Sequence, residues 1–227
     1  MKKLVNDKFI SISNLIFSYK KNNLFNNFNL SLDNNMFTSI IGENGSGKTT
    51  LTKLICGMIT PNFGNVFIEN RDVSKMNLSE VGNIIGYLFQ NPEKQIFGES
   101  VIDELSFAMK FNGISIDIIN GKVEHILEKF DLEEIKDQKC HLLSHGEKQR
   151  VALSTIFLKN PKYLILDEPT TGLDVLRKEM LYKLLNNIKN DGVGILMISH
   201  DLEFVDKLSD RIIMLENGRV IKDEYCS

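Results

Sequence analysis

The run "MFTSIIGENGSGKTTLTKLICGMI", residues 36–59, leaves this chain few folds to choose from. Its opening, "MFTSII", is a short continuous apolar stretch that reads as a buried strand, and a polar glycine turn follows. After the turn, Leu51, Leu54, Ile55 and Met58 recur at helical spacing. Strand, glycine turn and helix in that order open an α/β fold. Within the turn, Gly42, Gly47, Lys48 and Thr49 fit G-x-x-x-x-G-K-[ST]. Glycines let a loop wrap a phosphate with successive amides pointing inward, the lysine reaches β- and γ-phosphates, and the threonine hydroxyl can ligate Mg2+. An exposed glycine turn is the plainer alternative, and the strand before it and the helix after it argue against that.

The rest of the chain is organised around this unit. From Phe9 to Asp33, "FISISNLIF" and "FNNFNLSLD" alternate around a lysine- and asparagine-rich turn, the pattern of antiparallel strands. "NVFIEN" and "IIGYLF" add strands. Residues 99–130 then read as helical, with Ile102, Leu105 and Met109 on one face and Val123, Ile126, Leu127 and Phe130 on a second helix. The helical block interrupts the α/β alternation, so an inserted subdomain is expected at about Pro92 to Asn160 within one domain covering 1–227. Alternation resumes with "KYLILD", a helix through Met180, Leu181, Leu184, Leu185 and Ile188, then "VGILMIS" and "RIIMLENGRVI", where Asn217-Gly218 is a hairpin signal.

Three strand ends carry chemistry. "YLILDEP" ends in Asp167, able to hold a Mg2+ shell, and Glu168, able to orient and polarise a water. Consecutive strand residues point opposite ways, so the two acids are expected to have different roles. "ILMISHD" delivers His200 to the C-terminal edge of the sheet, where ligands gather in open α/β folds and a γ-phosphate contact is expected. "YLFQNPEKQIF" presents Gln90, which can bond a metal-bound water and move with the helical block. A fourth stretch, "LLSHGEKQR", reads as a turn running into a helix whose free amides attract an anion.

Composition narrows the function classes. A net charge of -3 argues against a nucleic-acid partner held on a broad basic surface. Cys56, Cys140 and Cys226 are dispersed without a C-x-x-C pair, which fits a reduced cytosolic compartment, and Cys140 beside His141 reads as a buried thiol rather than a metal site. The start "MKKLVNDKFI" has no apolar run behind its lysines, and no stretch approaches the roughly 20 apolar residues of a membrane span, so a membrane role is expected through a partner.

Together these stretches resemble the nucleotide-binding subunit of an ATP-binding cassette (ABC) transporter, over nearly the whole chain and in the family's order. The phosphate loop is Gly42 to Thr49, the glutamine loop Gln90, the signature Leu143 to Glu147, the metal-binding strand end Asp167, the catalytic glutamate Glu168, the dimer-facing "TGLD" loop ends at Asp174, and the switch histidine is His200. The resemblance implies a P-loop NTPase fold of the ABC ATPase type, with an N-terminal antiparallel β subdomain and an inserted helical subdomain. It implies ATP hydrolysis with Mg2+, with Glu168, His200 and Gln90 in catalysis and Thr49, Gln90 and Asp167 at the metal. Nucleotide binding is carried over to Tyr19, Gly42, Asn44, Gly45, Ser46, Gly47, Lys48, Thr49 and Thr50, and, across a head-to-tail pair, to Ser144, Gly146, Glu147 and Asp174. Tyr19 would stack on adenine, a plain strand tyrosine being the alternative.

The implied partners are transmembrane transporter subunits and a second ABC ATPase subunit, as homodimer or heterodimer, at the cytoplasmic face of the membrane. The chain ends soon after the Asn217-Gly218 hairpin, where many relatives carry an extra segment, and this leaves both kinds of dimer open. Within the same class, an ATPase of another import or export system is the alternative; a soluble cassette acting in translation or repair, or a regulator without turnover, fits less well: there is one cassette without a long insertion, and Glu168 and His200 are both present.

"FQNPEKQIFGESVIDELSFAMK" is similar, further, to the same region of energy-coupling-factor importers for vitamins and for transition metals such as cobalt or nickel. Asn91, Pro92, Gln95, Phe97, Asp103, Glu104 and Phe107 carry that likeness. Ile96 and Phe97 either line a groove for a partner's helix or pack inside the helical block. In the signature the usual pattern is Leu-Ser-Gly-Gly-Gln; here His145 replaces the first glycine and Glu147 the glutamine. His145 reads as a tolerated variant, strained only if its backbone needs a positive φ.

Overall fold

The computed structural model describes residues 8–20, 22–111 and 113–226. Two sheets share the molecule. The alternating segments form β1 (Lys8–Tyr19) and β2 (Asn22–Asp33), which join β4 (Phe63–Ile68) and β5 (Arg71–Asp72) in an antiparallel sheet of order β2-β1-β4-β5. The apolar runs form β3 (Phe37–Ile41), β6 (Ile85–Leu88), β7 (Tyr163–Asp167), β8 (Gly194–Ile198) and β9 (Arg211–Glu216), parallel neighbours in the order β9-β3-β8-β7-β6. Strand β10 (Arg219–Tyr225) pairs antiparallel on the outer side of β9 through the expected hairpin. Asn217 and Gly218 both have positive φ there, 46° and 72°, the turn geometry that matches strand twist. The amide of Gly218 also donates to the Ser46 carbonyl at 3.0 Å, so the hairpin braces the phosphate loop.

Every residue of β7 and β8 is buried, as expected where helices or a second sheet cover both faces. One face packs on the antiparallel sheet and on α1 (Lys48–Ile55), with Phe25, Ile40, Leu51, Leu54, Tyr163 and Ile165 in that core. The other face is covered by α3 (Val101–Phe111), α4 (Ile116–Lys129), α5 (His145–Phe157), α6 (Val175–Asn190) and α7 (Leu202–Leu208). A short α2 (Leu78–Gly82) precedes β6.

Two expectations about helices are corrected. Helix α1 ends at Ile55, because Gly57 turns left-handed at φ 66°, so Met58 lies off the helix and is 37% exposed. On α3 the buried face is Val101, Leu105 and Met109, whereas Ile102 faces outward at 37% exposure. A phase of one residue separates the two stripes, and only the packing partner selects between them.

The sheets are tied together by a buried arginine. Arg211 on β9 forks onto both Asp223 carboxylate oxygens at 2.7 Å and donates to the Ser31 carbonyl of β2 at 2.7 Å. The guanidinium holds the Asp223 carboxyl below the usual carboxylate range. A depressed folded-state value means the contribution is present above the ordinary aspartate range and is lost as pH falls through the folded value. Asp223→Asn is therefore expected to lower stability by ~1–2 kcal/mol near neutral pH, less than for a fully buried pair because Asp223 is partly exposed. In thermal melts the gap between native and variant should close as pH drops below 4, the ordinary aspartate value being about 3.9. A gap independent of pH would mean that the pair contributes through shape alone.

Candidate functional site

The C-terminal ends of the parallel strands converge on one cleft of about 680 Å³. Strand β3 delivers the phosphate loop, whose Asn44, Gly45, Gly47, Lys48, Thr49 and Thr50 line it. Gly47 caps α1 with φ 108°, and a Cβ there would meet the Phe25 ring at 2.9 Å, so both the backbone and the space require glycine. Lys48 is 6% exposed and its Nζ donates to the carbonyls of Gly42 at 2.7 Å and Glu43 at 2.9 Å, folding the lysine back along its own loop. Burial lowers the pKa of Lys48, against the pull of Glu168 and Asp167. Ser46 Oγ is buried without a partner in the same loop.

Strand β7 supplies Asp167, and Gln90, Glu168 and His200 line the same cleft. Asp167 is 5% exposed; its Oδ1 accepts from Thr49 Oγ1 at 3.3 Å and its Oδ2 from the Tyr87 hydroxyl at 3.3 Å. Burial raises the Asp167 pKa, partly offset by those two bonds, and burial also raises that of the Tyr87 hydroxyl, which stays a donor. Glu168 has left the strand conformation, with φ 52°. That left-handed geometry costs on the order of 1–2 kcal/mol in a residue other than glycine. It turns the carboxylate to His200, whose backbone amide and Nε2 both lie 3.2 Å from it. Burial raises the Glu168 pKa, with His200 and Lys48 opposing. The two adjacent acids thus have separate neighbours, one on the phosphate-loop threonine and one on the histidine.

Tyr19, at the end of β1, also lines the cleft; it is 50% exposed and meets Phe17 edge-on at 4.8 Å. Asn22, Asn23 and Leu24 line it too, and nothing in their sequence context marks them, whereas Thr171, which also lines it, opens the TGLD loop. Tyr87 lies inside the apolar run "IIGYLF", where a tyrosine looks like core and nothing local points to Asp167.

Ser144, Gly146, Glu147 and Asp174 do not line this cleft. Ser144 caps α5, accepting from the Glu147 amide at 3.4 Å, while Glu147 Oε2 accepts from the Ser144 amide at 2.7 Å. Hydrogen bonding from Ser144, by its side chain first and its backbone amide second, holds the Glu147 carboxyl below its usual range, so the carboxylate serves the helix start. Asp174 caps α6 and pairs with Arg177 at 3.2 Å. A Cβ on Gly146 would meet Arg177 Cδ at 2.9 Å, and one on Gly172 would touch the His145 ring at 3.6 Å, so the signature and the TGLD loop pack together.

His145 is the first residue of α5 and is absent from the positive-φ positions, so it carries no left-handed strain. His145→Gly is expected to leave ATP turnover within a few-fold and to cost stability up to about 1 kcal/mol, the helix propensity difference at a first-turn position being an upper bound. A steady-state phosphate-release assay checks it; a collapse of turnover would give the imidazole a role in the reaction.

Ahead of α3 the glutamine loop is held by two side chains. Gln95 accepts from the Phe89 amide and donates to the Tyr87 carbonyl, both at 2.8 Å. The buried Glu104 carboxylate accepts from the amides of Phe97 at 2.7 Å and Gly98 at 2.6 Å. The two apolar residues of that loop divide: Ile96 packs against the core, and Phe97 is 82% exposed.

The family model described as "ABC transporter" matches residues 25–171. The chain is 34% identical to the energy-coupling factor transporter ATP-binding protein EcfA of Malacoplasma penetrans, over 95% of this chain and 76% of that protein. Among solved structures, CbiO1 of Clostridium perfringens, part of the ABC transporter complex cbiONQ, superposes with TM-score 0.89 at 31% identity, covering 96% of this chain and 89% of that one. A dimeric ATP-binding cassette in a post-hydrolysis state with ADP and Pi superposes with TM-score 0.84 at 27% identity, covering 95% of this chain and 98% of that one. With a phosphate loop, two strand-end acids and a histidine in one cleft, the chain belongs to the ABC transporter family, as an ATP-hydrolysing subunit.

Proposed function

We propose that this chain is the motor of an importer of the energy-coupling-factor type, carrying a vitamin or a transition metal ion and working at the cytoplasmic face of the membrane. The observation that carries the reading is Phe97: an aromatic side chain 82% exposed, presented on a loop that the buried Glu104 carboxylate clamps by two amides. A single exposed apolar residue is ordinary on a surface, but an aromatic one beside a cleft can serve as the anchor of a partner contact. Beside it a cleft of about 540 Å³ is lined by Ile96, Phe97 and Cys140 together with the charged Glu93, Lys139 and Lys148. The segment carrying Phe97 is the one that resembles energy-coupling-factor importers, and the similar protein of Malacoplasma penetrans is an energy-coupling factor transporter ATP-binding protein. The helical segment at about 92–160 is assigned to the inserted subdomain that presents this surface.

In the reaction, Lys48, Thr50 and the amides of Asn44, Gly45, Ser46 and Gly47 bind the phosphates of ATP after the turn at Gly42, and Tyr19 supports the adenine. Thr49 Oγ1 and Asp167 Oδ1, 3.3 Å apart, form a set of hard oxygen donors that suits Mg2+, with the Gln90 amide in the same cleft. When bound, Mg2+ neutralises charge on the phosphates and positions them for in-line attack. Glu168 polarises the attacking water and His200 steadies the γ-phosphate. Burial disfavours the bare carboxylates of Asp167 and Glu168 and raises the pKa of both, so a nearby cation or proton is favourable to either. Ser144, Gly146, Glu147 and Asp174, away from the chain's own cleft, serve the nucleotide of a second cassette.

The test is to tag the chain, purify it from detergent-solubilised membranes and identify what travels with it. Membrane-spanning proteins that are retained by the native chain and lost with Phe97→Asp support the reading. Recovery of the chain alone, or only with soluble proteins, would overturn it.

A further inference from the structure

Thr49, Thr52, Tyr87 and Asp167 close a ring of polar contacts beneath the phosphate loop, its last link made through the Thr49 backbone carbonyl. Thr49 Oγ1 donates to Asp167 Oδ1 at 3.3 Å, the Tyr87 hydroxyl donates to Asp167 Oδ2 at 3.3 Å, Thr52 Oγ1 lies 3.0 Å from the Tyr87 hydroxyl, and the same Thr52 oxygen lies 3.0 Å from the Thr49 carbonyl. Thr52 is fully buried and Tyr87 is 8% exposed, so the contact between those two hydroxyls is closed to water, while Thr49 and Asp167 face the cleft.

Each hydroxyl has one proton to give, while the carboxylate and the carbonyl only accept. Thr49, Thr52 and Tyr87 therefore supply three protons to four contacts, and one contact goes without. The Thr49 carbonyl is the acceptor with least to lose, because the helix amide four residues on already serves it. A bond ending on a carboxylate is the strongest in such a ring, and each link polarises the next. The protons thus run from Thr52 to Tyr87 and from Tyr87 to Asp167.

Tyr87 is gripped at its other end as well. Its carbonyl accepts from Gln95 Nε2 at 2.8 Å and its ring packs on Phe89 at 4.8 Å, so the strand leading into Gln90 holds the phenol in place. We propose that Tyr87 is a positioning residue for ATP hydrolysis: its hydroxyl, oriented by Thr52, pins Oδ2 of Asp167 and leaves Oδ1 facing Thr49, where the metal is held. The inference rests on the proposed role of Asp167 as a metal ligand. Partners that fix a ligand in this way are worth about 10- to 100-fold in metal affinity. A single neutral hydroxyl on one carboxylate oxygen belongs at the low end of that range.

The test uses the full chain with a non-hydrolysable ATP analogue and Mn2+ as the probe, followed by loss of the free-Mn2+ paramagnetic resonance signal. Affinity for a fluorescent ATP analogue in EDTA is measured beside it. Tyr87→Phe keeps the ring and should weaken Mn2+ binding roughly tenfold while nucleotide affinity in EDTA stays within about twofold. Thr52→Val should weaken Mn2+ binding by about two- to threefold alone and add nothing in the Tyr87→Phe background, because it acts through the tyrosine. Asp167→Asn separates the premise from the inference. If it leaves Mn2+ binding intact, Asp167 is not a ligand and the premise fails. If it weakens binding while Tyr87→Phe does not, or if Tyr87→Phe weakens nucleotide binding equally without metal, the assignment to Tyr87 fails alone. Should Tyr87→Phe not fold, native Mn2+ affinity in Thr52→Val would overturn the relay.

Discussion

Glu168→Gln is expected to lower kcat by about two to four orders of magnitude, the range typical of removing a positioned base. Glutamine keeps the shape and a hydrogen-bonding oxygen for the His200 amide, now 3.2 Å from the carboxylate, but it cannot take up or polarise the proton of a water. The phosphate loop, Lys48 and Asp167 are untouched, so ATP affinity should stay within a few-fold. Bound ATP that is not hydrolysed should then accumulate with two cassettes closed on it. Phosphate release and light scattering with and without ATP read the two consequences separately. Turnover within tenfold of native would remove Glu168 from the base role. Loss of ATP binding together with turnover would point instead to collapse of the left-handed turn that Glu168 occupies at φ 52°.

Lys48→Ala should act one step earlier, on binding. The ammonium is almost buried and is held by two loop carbonyls, so a phosphate tail entering the cleft replaces neutral acceptors with charged ones. Hydrogen bonds to charged groups contribute about 1.5–3 kcal/mol each, and losing about 3 kcal/mol in all weakens ATP binding by roughly a hundredfold. Thermal melts make this visible. ATP at 100 times the native Kd stabilises the native chain by about 2.7 kcal/mol but the variant by only about 0.4 kcal/mol. An unchanged ATP-induced shift would mean that Lys48 serves the loop and not the nucleotide. The Asp223→Asn and His145→Gly variants, both away from the cleft, are controls in which this shift should persist.

Much of the site was legible because each motif is a strand end read together with the turn that follows it. Gly42 to Thr50, Asp167, Glu168, Gln90 and His200 each sit within a few residues of an apolar run, and a parallel sheet brings such ends to one edge. The Asn217-Gly218 hairpin was legible for the same reason, since two residues define the turn. Legibility ended where the decision passed to a distant neighbour. Ile102 and Val101 differ by one position in a helical stripe, and the core chose Val101. The extent of α1 past Ile55 depended on a left-handed Gly57 that apolar spacing does not reveal.

By itself, then, the sequence determined the class of fold, the phosphate loop and the order of the chemical groups along the sheet edge, because these depend on contacts within one strand and its turn. Tertiary structure decided the rest. It placed Tyr87 on Asp167 and on Thr52, partners 80 and 35 residues away, and it turned Glu168 out of its strand onto His200, 32 residues on. It also set His145 in a helical first turn rather than a strained one, and held Phe97 outward by a carboxylate seven residues later. Hydrogen-bond partners of buried groups and the faces of short helices follow from which surfaces meet, and chain order does not specify that before the chain has folded.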